Sequence, residues 1–220
     1  MPNFLFDFMR IYAVADLHGK EKRKERAVEL ASTSDLTIIC GDITHFGPAE
    51  HAKLFLDKIG KEVKTFALPG NCDEWETIDA IEASRAENLH RNRLEFKGFT
   101  FFGYGGSPPS SIKTIFEDTE EEIYGGLKKI AKEGGILCTH APPRGHLDRA
   151  MGSYNIGSSA VLRILDEKRP ILNLFGHVHE SSGSERYGDT WLINCSAGLK
   201  GSGCYVDLGS AGVEGITFLD

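Results

Sequence analysis

The chain of 220 residues lacks long apolar stretches and has a deficit of positive charge. No apolar run reaches about 18 residues, so we expect no membrane-spanning helix. The 25 Lys and Arg residues are outnumbered by 32 Asp and Glu residues, which gives a net charge of −7. Nucleic-acid binding depends largely on neutralising phosphates, so this balance disfavours a nucleic-acid-binding protein.

Paired cysteine motifs are also absent. None of the five cysteines lies in a Cys-x-x-Cys pair, and their number is odd. Cys40 and Cys138 lie within apolar runs, where small buried side chains are common. We therefore predict reduced thiols and a cytoplasmic protein. The apolar segment 1–9 contains Asp7 and lacks a basic start, so we expect an edge strand or a disordered extension there and no signal peptide.

Strands and helices alternate in the first part of the sequence. They are predicted in turn over residues 10–15, 20–31, 36–40, 48–59, 63–68 and 76–83. This order predicts parallel strands joined by right-handed crossovers. Further strands are predicted over residues 93–96, 99–102, 136–139, 171–175, 190–194, 203–207 and 213–218. Two further helices are predicted over residues 119–132 and 159–168. We predict one α/β domain over residues 1–220, with two sheets packed together and helices outside.

Five of the apolar runs stop at side chains that can bind metal ions. These side chains are Asp16, His18, Asp42, Asn71, His140, His177 and His179. In open α/β sheets, ligands gather beyond the carboxyl ends of the strands. We therefore predict that seven side chains, spread over 164 residues of sequence, meet at one edge of one sheet.

The residue types at these strand ends indicate which ions they would bind. Imidazole mixed with carboxylate suits Mn, Fe, Zn, Co or Ni better than Ca or Mg. Seven side chains are too many for one such ion and about right for two. Two divalent ions beside two aspartates leave a positive centre that attracts phosphate. The sequence thus predicts two divalent transition-metal ions, with Mn as our first choice.

The five blocks, in this order, resemble the signature of calcineurin-like metallophosphoesterases. The blocks are Asp16-x-His18, Gly41-Asp42, Gly70-Asn71-x-Asp73, His140 and Gly176-His177-x-His179. The resemblance implies a four-layer α/β/β/α sandwich with two mixed sheets. It implies a first ion held by Asp16, His18 and His179. It implies a second ion held by Asn71, His140 and His177, with Asp42 bridging the two.

One position departs from the family pattern. Most members have a histidine where this sequence has Cys72, and that histidine donates a hydrogen bond to the phosphate while its acidic neighbour, here Asp73, orients it. A thiol is a weak donor. We keep Cys72 and Asp73 as catalytic candidates. The implied reaction is hydrolysis of phosphodiesters or activated phosphate esters by a metal-bridging hydroxide, and small phosphate esters are the expected substrates.

The loop after His140 holds two further candidates. Arg144, together with Asn71, could contact the substrate, and His146 could replace the missing general acid. An exposed loop histidine is an equally good interpretation of His146. Three other histidines resemble surface or core residues and receive no role, namely His45, His51 and His90.

Two other functions fit the same fold. The first is a metal-dependent nuclease, which the acidic charge balance disfavours. The second is a non-catalytic scaffold for protein interactions, which the intact set of ligands disfavours, although a fold alone does not fix a function. The sequence leaves the native metal, the physiological substrate and a homo-oligomeric state open.

Overall fold

The computed structural model describes residues 8–152, 154–199 and 201–220. Within these ranges the first seven strands are β1 (Met9–Val14), β2 (Leu36–Cys40), β3 (Thr65–Leu68), β4 (Glu87–Asn88), β5 (Asn92–Phe96), β6 (Phe99–Tyr104) and β7 (Ile136–Thr139). They are followed by β8 (Arg149–Ala150), β9 (Tyr154–Asn155), β10 (Leu172–Phe175), β11 (Gly183–Tyr187), β12 (Thr190–Asn194), β13 (Cys204–Gly209) and β14 (Gly212–Phe218). The helices are α1 (Glu21–Ala31), α2 (Ala49–Glu62), α3 (Thr77–Glu82), α4 (Glu120–Ile130) and α5 (Ser159–Lys168).

Most of these strands belong to two six-stranded sheets. The first has the order β14-β13-β1-β2-β3-β4 and the second has the order β11-β12-β10-β7-β6-β5. In the first sheet β1, β2 and β3 are parallel, whereas β13 is antiparallel to β1. In the second sheet β6, β7, β10 and β12 are parallel, and β5 and β11 pair antiparallel at the edges. Both sheets are therefore mixed, as predicted.

Side chains of β1 alternate between two hydrophobic layers, as the period of a strand requires. Ile11 and Ala13 pack in the layer between the two sheets, and Tyr12 and Val14 face the helices. Helices α1, α2 and α3 cover the first sheet, and α4 and α5 cover the second. The predicted α/β sandwich with helices on both outer faces is confirmed.

Local sequence signals explain several element ends. Thr119 and Glu122 form the predicted capping box at the start of α4, which satisfies two backbone N–H groups at the helix end. The helix stops at Ile130, earlier than predicted, because Ala131 is already extended. Strand β11 lies in a segment for which the sequence predicts no strand. It contains no strong apolar alternation and is defined by its pairing with β12.

Two sequence predictions concern the chain ends and the membrane. Of the segment 1–9, residues 1–7 lie outside the described residues, whereas Met9 begins β1 and is buried. Among the helices of the described ranges, none has the length and apolar character needed to cross a bilayer.

Candidate metal centre

The seven predicted metal ligands follow five strands that run in parallel within their sheets. Asp16 and His18 follow β1, Asp42 follows β2 and Asn71 follows β3. The remaining three follow strands of the second sheet, with His140 after β7 and His177 and His179 after β10. The structure thus brings the seven together from two sheets, whereas we expected one sheet edge. A sequence shows where a strand ends but not which sheet the strand joins.

Four of these residues have a backbone conformation that is rare for side chains with a Cβ atom. The φ angles are 62° for Asp16, 49° for His18, 52° for Asp42 and 70° for His177. Left-handed backbone of this kind is uncommon outside glycine and collects at functional sites. These four residues follow β1, β2 and β10, so the chain turns sharply at the ends of these three strands.

The first group consists of Asp16, His18 and His179. The Nε2 atoms of His18 and His179 lie 3.0 Å apart, and the Nε2 atom of His179 lies 3.5 Å from Oδ1 of Asp16. The Asp16 carboxylate also accepts hydrogen bonds from the backbone N–H of His177, at 3.1 and 3.2 Å. Two ring nitrogens and one carboxylate oxygen therefore converge on one small volume.

The second group consists of Asn71, His140 and His177. The Oδ1 atom of Asn71 lies 2.8 Å from Nε2 of His140 and 2.8 Å from Nδ1 of His177. Asp42 lies between the two groups, because its Oδ2 atom is 3.6 Å from Nε2 of His18 and its Oδ1 atom is 3.5 Å from Nε2 of His140. The two oxygens of one buried carboxylate thus face two different sets of ligands.

The hydrogen bonds of His140 show that this donor set fits a cation. The Nδ1 atom of His140 lies 2.8 Å from the backbone oxygen of Cys40, and a carbonyl can only accept, so Nδ1 carries a proton. In the neutral ring Nε2 is then an acceptor, and it faces the Asn71 and Asp42 oxygens. Several acceptors directed at one point are the arrangement that a metal ion satisfies, with a backbone carbonyl fixing the histidine from behind.

Burial shapes the charge states of this cluster. Burial, with the nearby charge of Asp16, raises the pKa of Asp42 to about 7. Burial lowers the pKa of His18 to about 4 and the pKa of His177 to about 3. Burial alone would raise the pKa of Asp16, but a hydrogen bond from His179 and the charges of His140 and His179 lower it overall. Burial therefore keeps His18 and His177 neutral, the state in which imidazole binds metal ions, whereas a hydrogen bond to Asp16 raises the pKa of His179.

Asp73 connects the loops that carry Asp42 and Asn71. Its carboxylate accepts hydrogen bonds from the backbone N–H groups of Gly70, Ile43 and Thr44 at 2.8, 3.1 and 2.8 Å, and from the Thr44 hydroxyl at 2.8 Å. All four contacts lie within the protein. The side chain of Asp73 therefore links the two loops through its hydrogen bonds.

Glycine is required where these two loops touch. Gly41 has a φ of +88°, and a Cβ atom there would collide with the backbone of Gly70 and the ring of His140. A Cβ atom on Gly70 would overlap the Asp42 carboxylate. Only residues without side chains allow this close approach.

Cys72 lies at the edge of the cluster. Its backbone N–H donates to Oδ1 of Asp42 at 2.8 Å, and its Sγ atom accepts from the side-chain amide of Asn71 at 3.6 Å. Burial, with the charge of Asp42, raises the pKa of its thiol. Without a bound cation the side chain is therefore a protonated thiol.

His45 is a neighbour of the cluster that sequence reasoning missed. Its ring centroid lies 5.3 Å from that of His18, and a ligand atom of His45 lies within 4.8 Å of those of His18 and Cys72. The side chain is exposed. Its position three residues after Asp42, on the same loop, was the available signal, but an isolated histidine does not stand out from surface histidines.

The structure does not bring Arg144 and His146 into this cluster of contacts. The Nδ1 atom of His146 lies 2.6 Å from the Glu185 carboxylate on β11, and its ring packs beside Tyr187. The side chain of Arg144 is exposed and has no hydrogen-bond or ion-pair partner among the described residues. The basic side chain that does contact the centre is that of Arg23. Its guanidinium donates hydrogen bonds to the backbone oxygens of Asp16 and Gly198 at 3.1 and 2.5 Å.

The sequence is similar to a known protein family and to proteins of other organisms. The family model described as calcineurin-like phosphoesterase matches residues 9–181. An uncharacterized protein of Methanocaldococcus jannaschii is 31% identical over 196 residues, which are 86% of this chain and 88% of that protein. A UPF0046 protein of Caenorhabditis elegans is 31% identical over 215 residues, which are 89% of this chain and 72% of that protein.

A solved structure shares the fold. The crystal structure of TT1561 of Thermus thermophilus superposes with a TM-score of 0.73, covering 97% of this chain and 100% of that chain. The sequence identity of the pair is 17%, so the likeness concerns the arrangement of strands and helices.

Proposed function

Because the chain belongs to the calcineurin-like phosphoesterase family, we propose that it is a hydrolase that cleaves phosphate esters with the help of two divalent metal ions. The observation that carries this proposal is the position of Asp42. Its Oδ2 atom lies 3.6 Å from Nε2 of His18 and its Oδ1 atom lies 3.5 Å from Nε2 of His140. These two histidines belong to two separate groups of ligands. A carboxylate between two groups is suited to bridging two ions.

The proposed assignment divides the remaining six ligands evenly. Asp16, His18 and His179 bind one ion, and Asn71, His140 and His177 bind the other. When bound, a pair of such ions polarises the phosphoryl group and activates water for an in-line displacement. The mixture of imidazole and carboxylate favours a transition metal, and we propose Mn as the ion to test first.

The protein groups around the cluster suggest which esters are hydrolysed. Cys72, where most members have histidine, offers only a weak hydrogen-bond donor to a leaving group. We therefore propose phosphodiesters or activated phosphate esters, whose leaving groups need less protonation. Asp73 acts through the loops it joins, as a positioning residue. His146 contacts Glu185 and Tyr187, and Arg144 is an exposed side chain without a partner among the described residues, so the proposed reaction assigns no step to either side chain.

The decisive experiment is hydrolysis of bis(p-nitrophenyl) phosphate by the full chain loaded with Mn²⁺. We expect turnover that disappears with EDTA and returns with excess Mn²⁺. Asp57→Asn, a substitution of a half-buried aspartate on α2 that pairs with Lys53, serves as the control that keeps activity. No turnover by protein with bound metal would favour a scaffold, and degradation of oligonucleotides at a higher rate than the small ester would favour a nuclease.

We also propose a reducing, cytoplasmic setting. The support is that Cys40, Cys72, Cys138, Cys195 and Cys204 are all buried and unpaired. Titration of the unfolded chain with a thiol reagent should find five free thiols in protein isolated from its native host. Fewer than five would contradict the proposal.

A further inference from the structure

Three apolar side chains on loops next to the metal centre are exposed. Phe46 is 48% exposed, Trp75 is 45% exposed and Ile115 is 36% exposed. A single exposed apolar side chain is ordinary, but a group of them around one site marks a place that binds something. We refer to Phe46, Trp75 and Ile115 as the apolar rim.

Backbone hydrogen bonds attach the rim to residues of the centre. The N–H of Phe46 donates to the backbone oxygen of Cys72 at 2.8 Å, and the N–H of Ile115 donates to the backbone oxygen of Asn71 at 3.1 Å. Each rim residue of this pair is therefore one hydrogen bond away from the loop that carries a proposed metal ligand.

Trp75 gives the rim a rigid planar surface. Its ring stacks on that of Phe116, with centroids 3.8 Å apart and an angle of 27° between the planes. Phe116 is fully buried, and its backbone N–H donates to the oxygen of Asn71 at 3.1 Å. Because Phe116 covers one face of the indole, the exposed area of Trp75 belongs to the other face and the edge. A planar ligand group can stack there at little cost in side-chain entropy.

His45 lies between the rim and the metal centre. Its ring centroid is 4.6 Å from that of Phe46 and 5.3 Å from that of His18. The surface therefore changes from metal-binding groups through one exposed imidazole to apolar rings. This order matches a ligand with an anionic end and an apolar end.

We propose that the apolar rim binds the aromatic group of a phosphate ester whose phosphate lies at the metal centre. The proposal rests on the proposed phosphoesterase function and narrows its substrates to esters that carry an aryl or nucleobase ring. A protein partner would need about 800 Å² on each side, far more than three side chains provide. A stacked, immobile indole face suits a flat ring better than a flexible acyl chain.

The test compares two phosphonates that differ only in the apolar group. Binding of phenylphosphonate and of methylphosphonate to the Mn²⁺-loaded full chain is measured by calorimetry, which requires no turnover. We expect phenylphosphonate to bind the wild type more tightly. Trp75→Ala should weaken phenylphosphonate binding roughly fivefold and leave methylphosphonate binding unchanged, and Trp75→Phe should keep most of the preference. Leu54→Ala, which removes a 60% exposed side chain on α2, should change neither constant.

Phe46→Ala provides a second variant, because Phe46 is outside the stack of Trp75 on Phe116. It should also reduce the preference for phenylphosphonate. Equal affinities of the wild type for both ligands, or no binding of either, would overturn the proposal. So would an equal loss for both ligands in Trp75→Ala, since that pattern means that Trp75 acts only by supporting Asn71.

The same measurements separate this proposal from the proposed function. Preference for phenylphosphonate without hydrolysis of any phosphate ester would support aryl binding at the apolar rim and contradict the phosphoesterase function. Hydrolysis of phosphate esters without any preference for phenylphosphonate would support the phosphoesterase function and contradict aryl binding at the rim.

Discussion

Asp73 binds Thr44 twice, accepting hydrogen bonds from its backbone N–H and from its hydroxyl group, each at 2.8 Å. The two residues belong to different loops, one after β2 and one after β3, and Asp73 is fully buried. The loops that carry Asp42 and Asn71 are therefore held together by a carboxylate that accepts hydrogen bonds from both of them.

Asp73→Asn should destabilise the protein by about 1–3 kcal/mol, because an amide nitrogen would replace an oxygen that now accepts hydrogen bonds inside the protein. The measurement is the urea midpoint of the metal-free chain. Thr44→Val, which removes only the hydroxyl donor, should cost about 1 kcal/mol. Equal midpoints for Asp73→Asn and the wild type would show that these contacts do not support the loops.

Asp42→Asn should reduce kcat/KM by at least about a hundredfold, because both proposed ions depend on this carboxylate and weaker changes around metal ligands already cost 10–100-fold. Steady-state hydrolysis of bis(p-nitrophenyl) phosphate measures the loss. Metal content measured by mass spectrometry should fall at the same time. Full activity with unchanged metal content would contradict the bridging role.

Cys72→His should raise hydrolysis of phosphomonoesters relative to phosphodiesters. An imidazole donates a stronger hydrogen bond than a thiol and can protonate a poor leaving group. The ratio of kcat/KM for p-nitrophenyl phosphate and bis(p-nitrophenyl) phosphate is the measurement, with Cys72→Ser as the matched control. A constant ratio across the three proteins would place position 72 away from the leaving group.

Metal binding should stabilise the folded chain, because the seven side chains converge only in the native state. At a concentration of Mn²⁺ one hundred times its dissociation constant, the gain is about 2.7 kcal/mol. For a chain of this size that corresponds to a rise of roughly 5–10 °C in Tm. In the His140→Ala variant Mn²⁺ should raise Tm much less, whereas in His51→Ala, a substitution on the surface of α2, the full rise in Tm should remain. A Tm that is the same in EDTA and in Mn²⁺ would contradict the proposed site.

His90 provides a prediction about pH that does not involve the metal centre. Burial, helped by the charge of Arg91, lowers the pKa of His90 to about 3 from its ordinary 6.5, and its Nδ1 atom accepts from the N–H of Gly105 at 2.9 Å. Below pH 6.5 His90 is therefore protonated in the unfolded chain but stays neutral in the folded chain. The contribution of His90 to the free energy of unfolding is fully present above that pH and is lost as the pH falls toward 3.

His90→Asn should remove this dependence, since its Oδ1 atom can accept from Gly105 but does not titrate. Between pH 7 and pH 5 the variant should lose about 2 kcal/mol less stability than the wild type. Urea unfolding of the metal-free proteins at several pH values measures the difference. Parallel curves for the two proteins would show that His90 has the same pKa in the folded and the unfolded chain, which would contradict the prediction.

The sequence located the proposed ligands because the signals are contiguous. An apolar run followed by glycine and a polar side chain identifies a strand and its end, as in Leu36–Cys40 followed by Gly41 and Asp42. The capping box of Thr119 and Glu122 could be predicted because its two residues are close in the sequence. Strand β11 was missed, because its exposed residues carry little apolar pattern and its pairing partner is not visible from the segment itself.

Contacts between loops that are distant in the chain could not be predicted from the sequence. The exposed rings of Phe46 and Trp75 resemble ordinary surface residues until the hydrogen bond from Phe46 to Cys72 and the stack on Phe116 place them beside the centre. His45 was left without a role for the same reason. His146 stood out in its local sequence but forms its contact with Glu185.

The sequence by itself determined the α/β class and which side chains end the parallel strands, because strand length, apolar periodicity and glycine turns are properties of neighbouring residues. Only the tertiary structure decided that these ends come from two sheets, that Asp42 lies between two groups of ligands and that an apolar rim borders them. Those relationships depend on how loops far apart in the chain pack and hydrogen-bond, and such contacts leave no local pattern.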